Sequence, residues 1–154
     1  MAASVGSEES ISLLCRSLSC PDARAIYCNA TTRRARQTPL HLAAAKGHDG
    51  ALRTLIGFGA SPSKRNAAGQ TPLYRAACAG AEAGVAVLLE AEPGIVDWQD
   101  EQGQGALHVA AEDGHFGCVK LLVELAGASR ELRDREGRCP ADVARTAEIR
   151  SFLS

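Results

Sequence analysis

The stretch QTPLHLAAAKGH at residues 37–48 returns as QTPLYRAACAGA at 70–81 and, more faintly, as QGALHVAAEDGH at 104–115. A shorter trace, RCPADVAR, follows at 138–145. Thr38 and Thr71 are 33 residues apart, Leu73 and Leu107 are 34 apart, and Gly103 and Gly137 again 34. Gly47, Gly80 and Gly114 keep the same spacings, as do the apolar sets Leu52-Leu55-Ile56, Val85-Leu88-Leu89 and Val119-Leu122-Val123. A fixed period of this length marks a chain built from stacked copies of one supersecondary unit.

Each copy reads mechanically. A Thr-Pro pair suits a helix start, because Thr can cap an orphan N–H and Pro needs no donor in the first turn. First helices are expected over Pro39–Lys46, Pro72–Ala79 and Ala106–Asp113, with Ala43-Ala44, Ala76-Ala77 and Ala110-Ala111 allowing close approach. Gly47, Gly80 and Gly114 stop them by supplying a turn conformation at low steric cost. Second helices, with apolar residues at i, i+3 and i+4, are expected near 50–58, 83–91 and 117–125. A polar Gly/Asn/Asp-rich segment then suits a projecting hairpin. Two copies carry one extra residue, near Glu90–Gly94 and near Leu125–Ala128, expected to fall in loops.

The runs Gln37–Ala44 and Gly69–Ala77, with the Gly47-His48 and Gly114-His115 turns, resemble the ankyrin repeat family. The resemblance implies an all-α ankyrin solenoid of paired antiparallel helices with projecting β-hairpin loops. About four repeats are expected: 36–68, 69–102, 103–136 and a C-terminal capping part at 137–154. Ahead of them, residues 10–35 read as a degenerate capping half-repeat and irregular connector, with a short helix at Ile11–Leu18 and a helical turn at Ala23–Cys28. Residues 1–9 read as a disordered N-terminus. At the far end, Cys139–Arg145 is expected as a first helix and Ile149, Phe152 and Leu153 as the stub of a second.

The bulk numbers fit an ordinary folded domain: 154 residues, 45% apolar and 23% charged, with a formal net charge of −1. So small a net charge gives no long-range pull toward nucleic acid or anionic lipid, and no partner of either kind is expected. There is no apolar run near the roughly 18 residues a membrane helix needs and no signal-peptide pattern, so membrane insertion is not expected. The six cysteines form no CxxC pair and no zinc spacing with histidine. They read as free, mostly structural thiols in a reducing compartment. Asn29-Ala30-Thr31 matches a glycosylation sequon, read as coincidence.

His41 and His108 occupy one repeat position and His48 and His115 another. The resemblance makes the histidine of the TPLH motif a framework residue that ties its helix to adjacent turns. No metal, cofactor or nucleophile is expected from them, and Cys78 and Cys118 lack any feature announcing an activated thiolate. No glycine pattern forms a phosphate loop. The chain reads as a non-enzyme.

The resemblance implies a protein–protein interaction module or small adaptor, binding through hairpin tips and the first-helix surface. Aligned repeats place there Lys64, Arg65 and Asn66, then Trp98, Gln99, Asp100 and Glu101, then Arg133 and Arg135; the first helices add Lys46, Arg75, Glu112 and Asp113. Charge is banded: Arg33, Arg34, Arg36, Lys64 and Arg65 make the front basic, Glu90 through Asp113 make the middle acidic, and Arg130 through Arg138 turn the end mixed. Trp98, the only tryptophan, stands where other repeats place Lys64 and Leu132, and is read as either an interface anchor or a packing residue. Alternatives are a small inhibitor of a kinase or other signalling enzyme, or the N-terminal targeting part of a larger protein. A monomer placed in the cytoplasm, with the nucleus as alternative, is expected; Arg33–Arg36 is too short to serve as a localisation signal.

Overall fold

The computed structural model describes residues 21–154; the expected disordered tail at 1–9 and the helix at Ile11–Leu18 lie outside them. The described helices are α1 Pro21–Cys28, α2 Pro39–Lys46, α3 Asp49–Gly57, α4 Pro72–Cys78, α5 Glu82–Ala91, α6 Ala106–Asp113, α7 Phe116–Lys120, α8 Pro140–Val143 and α9 Ala147–Leu153. They stand in two layers: α2, α4, α6 and α8 pack side by side, and α3, α5 and α7 form a second row behind them.

Small residues set this spacing. Ala43, Ala44, Ala76, Ala77, Ala110 and Ala111 are all fully buried between first helices, so neighbouring backbones approach closely. Leu40, Leu73 and Leu107 of the first helices join Leu52, Leu88 and Leu122 in one buried cluster. Burying one such leucine contributes about 1.5–3 kcal/mol.

The helix starts show why the tetrapeptide repeats. Thr38 Oγ1 accepts from His41 N–H, and Thr71 Oγ1 accepts from Tyr74 N–H at 3.2 Å. Gly105 has no side chain to do this, so α6 begins with one donor fewer satisfied by its own cap. At the other end, Gly47 and Gly114 sit in the left-handed region (φ 69° and 85°) and return their N–H groups to Ala44 and Ala110 carbonyls.

The two extra residues are absorbed differently. In the first case Pro93–Ile95 forms a single 3₁₀ turn, which buries Ile95. In the second, the residue does not fall in a loop. It is taken into the helix itself, as a π turn over Leu121–Leu125 that continues α7. A one-residue insertion inside a helix has this outcome when the flanking apolar positions must stay in the core, here Leu122 and Ala128, six residues apart where Leu55 and Ala60 are five apart.

The projecting loops also differ from expectation, for no strand ladder forms among the described residues. A single antiparallel bridge, Gln99–Gly105, is present. The Oδ1 atoms of Asn66, Asp100 and Asp134 each accept from the N–H groups two and four residues on, at 2.8–3.0 Å. These side chains take donors that a ladder would otherwise pair. In the first loop Thr32 replaces the Asn/Asp, and Arg36 (φ 50°) stands where Gly69, Gly103 and Gly137 stand later. Arg36→Gly is therefore expected to stabilise the chain by about 0.5–1 kcal/mol, relief of the left-handed strain outweighing the added freedom of the unfolded chain. Urea unfolding midpoints check this; an unchanged or lower midpoint would show that Arg36 is not strained.

Both ends depart from the internal pattern. The helical turn expected at Ala23–Cys28 is a full helix from Pro21. Asn29 ties it to the stack, its amide donating to Ala25 O and Gly59 O while Oδ1 accepts from Ser61 N–H. The helix expected over Cys139–Arg145 is shorter, ending at Val143. Arg145 N–H turns back to Ala111 O at 2.9 Å, and Thr146 caps α9, whose Ile149 and Leu153 close the core.

Candidate protein-binding surface

Successive loops are stitched together by main-chain bonds of one kind. Ala67 N–H donates to Ala35 O at 2.9 Å, Glu101 N–H to Ala68 O at 3.1 Å, and Arg135 N–H to Gln102 O at 3.0 Å. Long side chains add a parallel line: the Arg65 guanidinium donates to Gln99 O, and Gln99 Nε2 donates to Arg133 O at 2.8 Å. The tips are thus one continuous edge, held in register by contacts between residues about one repeat apart.

Histidine fastens this edge to the first helices. His41 Nδ1 accepts from Thr38 N–H at 3.2 Å, and Nε2 donates to Gln70 O at 2.9 Å, since a carbonyl can only accept. His108 does the same between Gly105 N–H and Arg138 O. Both rings are buried with both nitrogens engaged, which removes them as metal ligands. Burial holds the His41 pKa below its ordinary value. His115 Nε2 reaches Cys78 O at 3.1 Å, a second inter-repeat tie. Tyr74 breaks the row: its hydroxyl meets the Gln104 side chain at 3.4 Å. Asp142 keeps half the job, its Oδ2 accepting from Cys139 N–H at 2.8 Å, a bond that holds its carboxyl below the usual range.

The residues expected to bind now separate by what their atoms already do. Asn66 is buried and its amide is engaged in the loop as a turn-former. Asp100 has the same role through Oδ1. Gln99 is half-buried and committed to the tip line. Arg65 is exposed but lies over the Trp98 ring at 5.3 Å, besides its bond to Gln99. Trp98 is 39% exposed, so it combines packing under Arg65 with an open edge. Arg133 is exposed and bonds its own loop at Gly137 O.

Lys46, Lys64, Glu101, Glu112 and Arg135 remain exposed, with Arg75 and Asp113 half-buried beside them. Glu112 accepts from the Gln104 amide at 3.5 Å. Arg75 Nε is buried without a hydrogen-bond partner among the described residues. Asp134, which aligned repeats place among the exposed tip residues with Arg133, Arg135 and Glu136, is instead buried, its Oδ2 held by two guanidinium nitrogens of Arg138 (2.8 and 3.0 Å), and it steadies the last loop. Its place in register with Asn66 and Asp100 is the signal for this turn-forming role.

Burial, then the nearby Asp113, raises the Cys78 thiol; burial, then Glu82, pushes Cys118 up to about 11. No group of His, Cys, Asp and Glu suited to a metal ion occurs among the described residues. Nor is any helix there long and apolar enough to cross a membrane.

Comparison with known proteins agrees with this architecture. Residues 1–97 match the family described as "Ankyrin repeats (3 copies)" and residues 88–144 that described as "Ankyrin repeats (many copies)". The chain is 36% identical to the probable 26S proteasome regulatory subunit p28 of Saccharomyces cerevisiae, over 75% of this chain and 51% of the relative. It is 35% identical to the transient receptor potential cation channel subfamily A member 1 homolog of Caenorhabditis elegans, over 72% of this chain and 9% of the relative. Similarity to human NF-kappa-B inhibitor alpha is 37%, over 58% and 30%. The chain thus spans about half the length, or less, of these curated relatives. Ankyrin repeats are a non-catalytic interaction fold, and these relatives mark a protein–protein interaction module. With its family match covering more than half its length, this chain belongs to the ankyrin repeat family.

Proposed function

We propose that this module holds its protein partner on the face made by the loop tips and the first helices, acting as an adaptor without catalytic steps of its own. One observation carries the reading. Inside the first helices, equivalent positions are nearly uniform: Leu40, Leu73 and Leu107, then Ala43, Ala76 and Ala110. At the open end of the same helices they diverge into Lys46, Ala79 and Asp113. Packing demands the uniformity; the divergence falls where packing makes no demand, on a face left open to a partner. The repeat units are taken as 36–68, 69–102 and 103–136 with a cap at 137–154, acting as a monomer placed in the cytoplasm, with the nucleus as alternative. A second reading, the targeting part of a larger protein, is supported by relatives of which this chain covers as little as 9%.

Proximity capture in cells tests the face. Ala79→Glu alters an exposed position at the end of α4, and Ala91→Glu an exposed position on the second row. Ala79→Glu is expected to abolish enrichment of the main partner, and Ala91→Glu to leave it intact. Trp98→Ala is expected to weaken capture at least tenfold while shifting stability by about 1 kcal/mol, since a partly open aromatic in a tip line is placed as a contact anchor. Loss of capture with Ala91→Glu alone would move the site to the opposite face.

A further inference from the structure

The face described above has an electrical direction. Residues 29–75 carry eight Lys and Arg against one acid, Asp49; residues 76–128 carry nine acids against one base, Lys120. The asymmetry is repeated on both tiers of the face. Among tips, Arg33, Arg34 and Lys64 are exposed at the front and Glu101 farther on. Among first helices, Lys46 and Arg75 stand at the front and Glu112 and Asp113 on α6. On the second row, Arg53 and Glu90 meet across repeats at 3.6 Å, so there the two bands partly cancel. The other ion pairs among the described residues belong to Arg138. None joins the basic and acidic residues of either tier.

Resting on the adaptor reading, we propose that this face takes one extended polypeptide segment bearing an acidic block and a basic block. The acidic block lies over the α2–α4 end and the basic block over α6. Charge complementarity of this kind fixes register and rejects the reversed arrangement, because each block would then meet its own sign. The spacing follows from the stack. Packed helices lie about 8–10 Å apart, so α2 and α6 are separated by roughly 16–20 Å. An extended chain rises about 3.3–3.6 Å per residue, which sets the block centres about five or six residues apart. Arg75, half-buried with its unpartnered Nε, sits where the acidic block would end.

The test uses the full chain and two synthetic peptides of identical composition. One has about four acidic residues, a short Gly/Ser spacer and about four basic residues; the other alternates the same charges. Block peptides are made in both chain directions, with a photo-crosslinker in the acidic block. In fluorescence polarisation at low salt, at least one block peptide is expected to bind tenfold or more tightly than the alternating isomer, crosslinking to α2 or α4. Lys46→Glu/Arg75→Glu is expected to abolish this. Adding Glu112→Lys/Asp113→Lys to it is expected to restore binding with the crosslink moved to α6. Lys64→Glu/Glu101→Lys, on the tips alone, guards against a misfolded helix variant and is expected to weaken binding. Equal binding of block and alternating isomers, no binding of either, or preference for a single-stranded oligonucleotide would each overturn the proposal. If these fail while partner capture in cells still depends on Ala79, the adaptor reading stands and only the charge direction falls.

Discussion

Gly103→Ala is expected to destabilise the chain by about 3 kcal/mol, and the same change at Gly137 by only about 1 kcal/mol. Both glycines are left-handed, at φ 76° and 78°, so alanine carries a similar backbone strain at either site, about 1–2 kcal/mol. Their surroundings differ. A Cβ on Gly103 would lie 2.9 Å from Arg135 N and 3.1 Å from Asp134 C, backbone atoms that cannot swing aside, whereas a Cβ on Gly137 meets nothing within 4 Å. Pushing the next loop away endangers the Arg135–Gln102 bond and adds the overpacking penalty, about 1–3 kcal/mol. Gly69, where the nearest atom is Glu101 N at 3.1 Å, should fall between. Urea unfolding of the three variants gives the order directly. Equal losses at Gly103 and Gly137 would show that the loops are not in firm contact.

His41→Ala is expected to remove about 3–4 kcal/mol. The ring is fully buried, and its loss leaves Thr38 N–H without its acceptor and takes from Gln70 O one of its two donors, Asn66 N–H remaining. Each buried polar group left unpaired costs about 1–3 kcal/mol, before any cavity is counted. The same ring gives the chain a pH dependence whose sign is fixed. In the folded chain burial disfavours the imidazolium, so the folded pKa lies below the unfolded value near 6.5. Stability from this group is whole above pH 6.5 and falls as the pH drops through the interval below it, because the unfolded state then binds more protons. Between pH 7.5 and 5.5 the loss from His41 is bounded at about 1.4 kcal/mol, the cost of one proton bound by the unfolded state alone. His41→Gln should unfold earlier at pH 7.5 yet lose less on acidification. An acid-induced loss of equal size in both proteins would remove His41 as its source.

Much of the helical frame is legible in the sequence because its signals are local. Thr38, Pro39 and Gly47 lie within one helix length of what they delimit, and α2 and α6 have their expected bounds. The second helices begin one residue before expectation, since His48, Ala81 and His115 start them without a side-chain cap. What could not be read depends on residues about a repeat apart. Arg65 and Gln99 look like free tip residues until the next loop is set beside them, when their donors are found on Gln99 O and Arg133 O. Asn66 and Asp100 look equally free, although the turn residues after them need their oxygens. The π turn follows from a conflict between one extra residue and a fixed core register, which no local pattern announces.

Asp142 has a further consequence, in the order in which the chain comes apart. Repeat arrays behave approximately as one-dimensional chains, each unit held by its own stability and by its interfaces with neighbours. An aspartate carboxylate has no donor to pass onward, so the α8–α9 unit lacks the outward tie that His41 and His108 make, and among the described residues it is coupled inward through Arg145 N–H to Ala111 O and the helix contacts with α6. Amide exchange should record this as a gradient, with α9 opening at a fraction of the global free energy and α4 and α6 opening only with the whole molecule. Unravelling then proceeds as from the loose end of a zip.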